Sequence, residues 1–362
     1  MVAIPTLSAG GAERVVSVLC NHWALEGHQV SVVTLEAVSE APFYVFEGGV
    51  QINRLDLPSI IGPKWRAIAR TLERILALRR FIRHERPDII LSFLTKMNVM
   101  TLIAVSGLKI PVIISERNNP YLQKFDAFWN FARAITFPKA FAFVTMSKGA
   151  SEYFPKRQRP RTRIIPNPVQ PLHTAAKPHS GKVLVGVGRL TSQKRFDRLI
   201  EAFSMVADDF PDWRLVIWGE GSNRPSLENM RDRLNLKERI SFPGLTKEHG
   251  AWVETADLLA LTSDYEGWPN VLLEAMASGV PVVSVSCDFG PKEILADGEF
   301  GVLTQQNDLE ALAKGLSTMM GDEAMRRTFA AKAKAASEAY APSAIAALWG
   351  NVIEEALSAN SR

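Results

Sequence analysis

The 362-residue chain holds only two cysteines, Cys20 and Cys287, far apart and in no metal-ligand spacing. That excludes a disulfide framework and a thiolate zinc site, and it points to a reducing, cytoplasmic compartment. Long apolar runs are missing as well. Uncharged apolar stretches such as those between Lys96 and Lys109 and between Glu274 and Asp288 fall short of the roughly 20 residues a bilayer span needs. The opening residues, Met1 to Gly10, lack the basic start and apolar core of a signal peptide, so export is not expected. No Asp-x-Asp occurs anywhere, which leaves no obvious carboxylate pair for a divalent ion. Neither a metal nor a cofactor is expected. A Gly-x-Gly-x-x-Gly opening a first βα unit and a Walker phosphate loop are both absent, against dehydrogenase and kinase readings. There is no internal repeat or low-complexity tract.

What is present is ordinary for a folded enzyme: 47% apolar and 22% charged residues. The charge is uneven. Residues 1–170 carry 22 Lys and Arg against 12 Asp and Glu, and the remainder carry 20 against 26. A basic first half suggests an anionic partner, nucleic acid or lipid. The arginines are not interleaved with the aromatic platforms that single strands require, so no nucleic acid is expected. Short apolar runs at Val2–Pro5, Val30–Leu35, Ile89–Phe93, Val112–Glu116 and Phe141–Met146 read as buried parallel strands separated by helical patterns. The rhythm returns at Val183–Gly188, Leu215–Trp218, Ile240–Phe242, Leu258–Leu261, Val280–Val285 and Gly301–Leu303. Strand alternating with helix implies two doubly wound α/β domains. The proline-rich segment Pro166–Ser180 is the natural linker.

Open α/β sheets bind ligands at the carboxyl ends of strands, so four loops stand out. Ser8–Arg14 places Gly10 and Gly11 where a helix begins, a setting in which amides approach an anion, although the same residues make a plain tight turn. Gly188-Arg189-Leu190-Thr191-Ser192-Gln193-Lys194 puts two cations after the first strand of the second half. These match the two charges of a diphosphate, or form a solvated pair. Trp218-Gly219-Glu220-Gly221-Ser222 gives shape more than identity. The fourth loop, Asp264 to Ala275, sets Glu266 before a helix and Glu274 about one turn inside it, so the two carboxylates can face two parts of one ligand. Taken singly, each could be a loop charge or an exposed first-turn glutamate.

Gly10-Gly11-Ala12-Glu13-Arg14, Gly188-Arg189-Leu190 with Gln193-Lys194, and the Glu266–Glu274 block together resemble family 4 glycosyltransferases. So do Ile165-Pro166-Asn167-Pro168-Val169 and Cys287-Asp288-Phe289-Gly290-Pro291-Lys292-Glu293-Ile294. The resemblance implies a GT-B fold, two Rossmann-like doubly wound parallel-sheet domains facing a cleft. Residues 1–170 would bind the acceptor, residues 171–341 the nucleotide sugar, and a helix at 342–362 would pack back on the first domain. It further implies transfer with retention of configuration and without a metal. Carried over, Arg189 and Lys194 would grip the donor diphosphate, Glu266 the sugar hydroxyls and Glu274 the ribose. Gly188, Gly219, Gly267, Asn270 and Val271 would line the donor site, Phe289, Gly290 and Pro291 would lie beside the transferred sugar, and Gly10 and Gly11 would approach from the opposite domain. Many members carry a histidine at the end of the first domain's fifth strand, where this chain has Ser115-Glu116-Arg117-Asn118. Glu116 and Arg117 are therefore candidates to meet the acceptor, and Glu116 joins Glu266, Arg189 and Lys194 as a candidate catalytic group.

The function implied is transfer of a hexosyl or N-acetylhexosaminyl group, from a UDP-sugar, to a saccharide acceptor, lipid-linked or soluble, in bacterial surface polysaccharide assembly. Two alternatives stay open: epimerisation or hydrolysis of a nucleotide sugar on the same fold, and binding without turnover. Along Lys64–Arg86 a helical projection gathers Trp65, Ile68, Leu72, Ile75 and Leu76 on one arc and Arg66, Arg70 and Arg74 opposite. The arc is expected to pack on the sheet. The arginines are expected to meet an anionic leaflet, giving peripheral attachment on the inner face of the membrane.

Overall fold

The computed structural model describes residues 1–58, 64–117, 122–123, 125–170, 172, 182–245, 250–287 and 289–360, the side chains of residues 64 and 65 excepted. Asn118, Asp288, the side chain of Trp65 and most of the segment read as a linker lie outside the described residues.

The chain forms two compact units, Met1–Pro168 with Pro342–Arg362, and Val169–Ala341. In the first, seven parallel strands run β1 (Val2–Ala3), β2 (Val30–Thr34), β3 (Val50–Arg54), β4 (Ile90–Phe93), β5 (Val112–Ser115), β6 (Ala142–Thr145) and β7 (Thr162–Ile164), in the spatial order 3-2-1-4-5-6-7. Its main helices are α1 (Gly11–Leu25), α2 (Lys64–Glu85), α3 (Thr95–Ala104) and α4 (Ala127–Thr136), with the short α5 at Lys148–Glu152. The central strands are buried on both faces, which is why they read as near-continuous apolar runs, with only the small polar residues Ser92, Ser115 and Thr145 among them. The two edge strands β3 and β7 carry Gln51, Arg54 and Arg163 and are partly exposed, so no apolar run announces them.

The second unit has six parallel strands in the order β10-β9-β8-β11-β12-β13. They are β8 (Lys182–Val187), β9 (Trp213–Trp218), β10 (Ile240–Gly244), β11 (Leu258–Leu261), β12 (Val282–Ser286) and β13 (Val302–Gln305). Between and after them lie α6 (Phe196–Val206), α7 (Arg224–Arg233), α8 (Asn270–Ala277), α9 (Pro291–Ile294), α10 (Leu309–Gly321) and α11 (Glu323–Ser337). The last helix, α12 (Pro342–Asn360), belongs to the first unit, where the Trp349 ring meets Trp23 edge-on with centroids 6.5 Å apart.

The structure corrects the reading of α2. Ile75, Leu78 and Ile82 are the side chains it buries, whereas Ile68, Leu72 and Leu76 are 47%, 57% and 54% exposed. The buried stripe lies roughly a quarter turn round the helix from the exposed one at 100° per residue. Arg70 and Arg74 are not free to face a lipid surface, because each donates from Nε to a backbone carbonyl, of Pro58 at 3.3 Å and Leu57 at 2.9 Å. Next in the same layer, α3 packs against both α2 and α4, and α4 exposes Phe128, Phe131 and Ile135. Among the described residues no helix is long and apolar enough to cross a membrane.

Candidate functional site

In the second sheet the strand order reverses between β8 and β11, which are neighbours although an α-β-α-β stretch (α6, β9, α7, β10) separates them in the chain. Such a switch point splays the loops at the carboxyl ends and leaves a crevice for a ligand. The two loops there are the ones carrying Arg189 with Lys194 and Glu266 with Gly267.

They are stitched together. Asp264 N donates to Gln193 O at 2.8 Å, Gln193 Nε2 to Tyr265 O at 2.9 Å, and Thr262 Oγ1 to Lys194 O at 2.9 Å. Through these bonds Lys194 Nζ reaches Glu266 Oε1 at 2.6 Å, across 72 residues of chain. Ser263 Oγ donates to the same carboxylate oxygen at 2.6 Å. The pair is largely covered, with side chains 15% and 8% exposed, so solvent screens it less than a surface ion pair. Lysine has three N–H donors, which leaves two for a ligand. Arg189 stands exposed at the mouth of the β8 loop. Below it Arg195, in a left-handed conformation at φ 51°, bonds Asp197 and Asp264, while Arg198 Nη1 meets Asp264 at 2.9 Å. That lattice holds the turn leading from Lys194 into α6.

Glu274 is the fifth residue of α8 and is 4% exposed, which rules out the solvated first-turn glutamate. Asn270 and Val271 open the same helix after Pro269. The Phe289-Gly290-Pro291 turn lies against it: a Cβ on Gly290 would come within 2.6 Å of Pro269 Cδ and 3.3 Å of Gly267 O. Gly219, after β9, backs directly onto Gly188 O. Lys194, Glu266, Gly188, Gly219, Gly267, Asn270, Glu274 and the 289–291 turn thus gather at one end of one sheet.

Gly10, Gly11, Glu116 and Arg117 belong to the first unit. Gly10 precedes α1 with Glu13 folded back over it, leaving 2.0 Å between Glu13 Oε2 and a Cβ at that position. Burial pushes the Glu13 carboxyl up and holds the Arg14 guanidinium down at about 10. Successive residues of an extended segment face opposite ways, and Glu116 and Arg117 do so here. Glu116 accepts from Thr95 Oγ1 at 2.6 Å and Asn98 Nδ2 at 2.7 Å. Burial raises its carboxyl, and the two donors pull it partly back. Arg117 donates to Ser115 Oγ, Asn167 Oδ1 and Ile165 O and lies 5.6 Å from the ring centroids of both Phe93 and Trp349. Burial lowers it to about 9. Its Nε and Nη1 are engaged inside the first unit, and it forms no ion pair with Glu116, while Nη2 is buried with no hydrogen-bond partner among the described residues.

Thr262 and Ser263 bond into these loops although motif reading passed over them, and Gln193, quoted in the motif without a role, joins them. Thr262 and Ser263 directly precede the Asp264–Ala275 block, so the signal was a small polar pair at a strand end. Among the described residues no group of three or more His, Cys, Asp and Glu stands together to hold a metal ion.

Two family models match the chain: Glycosyltransferase Family 4 over residues 9–171 and Glycosyl transferases group 1 over residues 173–336. An exopolysaccharide phosphotransferase of Streptomyces coelicolor is 28% identical over 96% of this chain, which spans only 40% of that relative's length. A Campylobacter jejuni α-1,4-N-acetyl-D-galactosaminyltransferase, whose name specifies a diNAcBac-PP-undecaprenol-linked acceptor, is 29% identical over 98% of each chain. Among solved structures, a sucrose-phosphate synthase from Thermosynechococcus elongatus superposes with a TM-score of 0.82 over 99% of both chains at 19% identity. Anabaena HepE in complex with UDP superposes at 0.78 over 98% of this chain and 99% of its own, at 18% identity. Two parallel-sheet units of this topology, matched in turn by a first-half and a second-half family model, place the chain among the family 4 glycosyltransferases of GT-B fold.

Proposed function

We propose that the protein moves a sugar from a UDP-sugar to a lipid-linked saccharide, with retention of configuration and without a metal, in the assembly of a bacterial surface glycan. The observation that carries this reading is the covered Lys194–Glu266 pair at the switch point, with Arg189 open beside it. The name of the Campylobacter relative and the UDP held by HepE support acceptor and donor class respectively. In the reaction the bond from sugar C1 to the diphosphate oxygen breaks and a bond from C1 to the acceptor oxygen forms. The acceptor proton passes to the departing phosphate oxygen. Arg189 and Lys194 oppose the charge that grows on the leaving group, and preorganised donors of this kind are strongest where water is kept out. Glu266, fixed by Lys194 and Ser263, receives the sugar hydroxyls, and Glu274 the ribose. Glu116 has both carboxylate oxygens occupied by Thr95 and Asn98, which makes it an anchor for the end of β5 more than a base.

Incubation with UDP-sugars and a polyprenyl-diphosphate saccharide tests this. The acceptor is expected to gain one sugar in the α configuration, in EDTA as in buffer. Donor consumption without acceptor would favour hydrolysis or epimerisation, and loss of transfer in EDTA with recovery on adding a divalent ion would end the metal-free account.

A lipid-linked acceptor calls for a membrane surface, and the layer of α2, α3 and α4 supplies one. Ile68, Leu72, Leu76, Phe128, Phe131 and Ile135 are exposed there, with Arg80 and Arg83 also exposed along α2. Each cation near an anionic leaflet contributes about 1 kcal/mol, and each buried methylene about 0.8 kcal/mol. The protein is expected to float with anionic liposomes, and Leu72→Ser with Leu76→Ser and Phe131→Ser to lose most of that binding. Unchanged flotation in the triple variant would remove this face from consideration.

A further inference from the structure

The first unit has a cavity away from all the loops above. Its volume is about 730 Å3, and it lies at the amino ends of β5, β6 and β7 beside the last turns of α12. β5 has four residues, so at roughly 3.3 Å per residue this end lies roughly 13 Å from Glu116. Ligands of doubly wound sheets sit at the opposite, carboxyl ends. The cavity is therefore not an extension of an acceptor site.

Four cations line it: Lys109 before β5, Lys139 before β6, and Arg161 and Arg163 at the start of β7. Arg163 has an acid partner, donating from Nη2 to both oxygens of Glu355 at 3.0 Å. Arg161 spends its donors on the carbonyls of Ala140 at 2.6 Å and Pro138 at 3.1 Å, which fix its position without cancelling its charge. Lys109 and Lys139 are exposed and make no ion pair or side-chain hydrogen bond among the described residues. Three uncompensated charges thus border one concave space, whose remaining wall includes Leu108, Phe141 and Ala356. Concave sites of about 300 to 1,000 Å3 with apolar walls and a few placed polar groups are the usual form of small-molecule sites.

We propose that this cavity binds a molecule carrying a phosphate or diphosphate group and an apolar portion, independently of the donor site. A single carboxylate would leave two of the three charges unmatched, whereas a phosphoryl group carries about −1.5 to −2 at neutral pH. The occupant would also brace α12, whose Asn360 Nδ2 already donates to Lys109 O at 3.0 Å.

The test uses the full chain, with pyrophosphate as the soluble probe and phosphatidylglycerol vesicles as the lipid-borne one. Titrations are made in the Arg189→Ala/Lys194→Ala background, which disables the proposed donor contacts. Flotation is measured in the Leu72→Ser/Leu76→Ser/Phe131→Ser background, which disables the α2–α4 face. Pyrophosphate is expected to bind, and addition of Lys109→Gln with Lys139→Gln to weaken it at least tenfold at constant ionic strength, with unchanged melting and unchanged transfer in the otherwise wild-type chain. Vesicle binding that depends on the two lysines, without pyrophosphate binding, assigns the phosphate to a lipid headgroup. Pyrophosphate binding without flotation assigns a soluble ligand. The proposal fails if neither probe binds, or if binding survives the loss of both lysines.

Discussion

Lys194→Ala is expected to lower turnover by a factor of about a hundred to a thousand at saturating donor. Deleting one preorganised donor to a developing charge typically costs roughly 3 to 4 kcal/mol, and Lys194 is the cation whose position the fold determines most tightly, through Thr262, Gln193 and Glu266. A smaller stability loss accompanies it, because the covered Glu266 carboxylate keeps Ser263 as a donor. The double variant Lys194→Ala/Glu266→Gln separates the two roles. If the lysine served only to neutralise Glu266, the double variant would be no slower than Glu266→Gln alone, whose own loss reflects the sugar contact. If it opposes a leaving diphosphate, the double variant falls a further hundredfold or so below Glu266→Gln. Comparing kcat and melting temperature across the three proteins decides between them, and wild-type turnover in Lys194→Ala would take the lysine out of the reaction.

Gly219→Ala is expected to destabilise the second unit by more than about 3 kcal/mol, in the range reached only by severe core or backbone conflicts. Gly219 has φ +135°, and an added Cβ would lie 1.9 Å from Gly188 O. That oxygen is backbone and cannot swing aside. Relief requires β9 to part from β8 just where the Arg189 loop begins, so activity falls together with stability. Gly27→Ala is the control: its φ is +87° but nothing lies within 4 Å of the new atom. It should cost only the strain of a left-handed alanine, about 1 to 2 kcal/mol. Equal denaturation midpoints for the two variants would show that the close approach of Gly219 to Gly188 carries no energetic weight.

The central strands and the order of strand and helix were legible in the sequence, because a strand buried on both faces is apolar at most positions, as Val112-Ile113-Ile114 and Ala142-Phe143-Val144 are. The edges β3 and β7 were not, since a half-exposed strand such as Val50–Arg54 tolerates Gln51, Asn53 and Arg54. Local chemistry was legible for the same kind of reason: Glu266 and Glu274 are separated by a spacing that a loop and a single helix turn into geometry by themselves.

Pairings across long stretches of chain belonged to tertiary structure alone. Nothing in the spacing of Lys194 and Glu266 says that they touch; that follows from β8 and β11 lying side by side at the point where strand order reverses. The same holds for Arg117, which a motif sets beside Glu116 but which the fold encloses between Phe93 and Trp349. It holds also for α2. Periodicity shows that Ile68, Leu72 and Leu76 share a stripe, but which stripe turns inward depends on the neighbours the helix meets, and here those take Ile75, Leu78 and Ile82. A one-dimensional pattern determines which residues lie together on an element, and only packing decides what that face is turned toward.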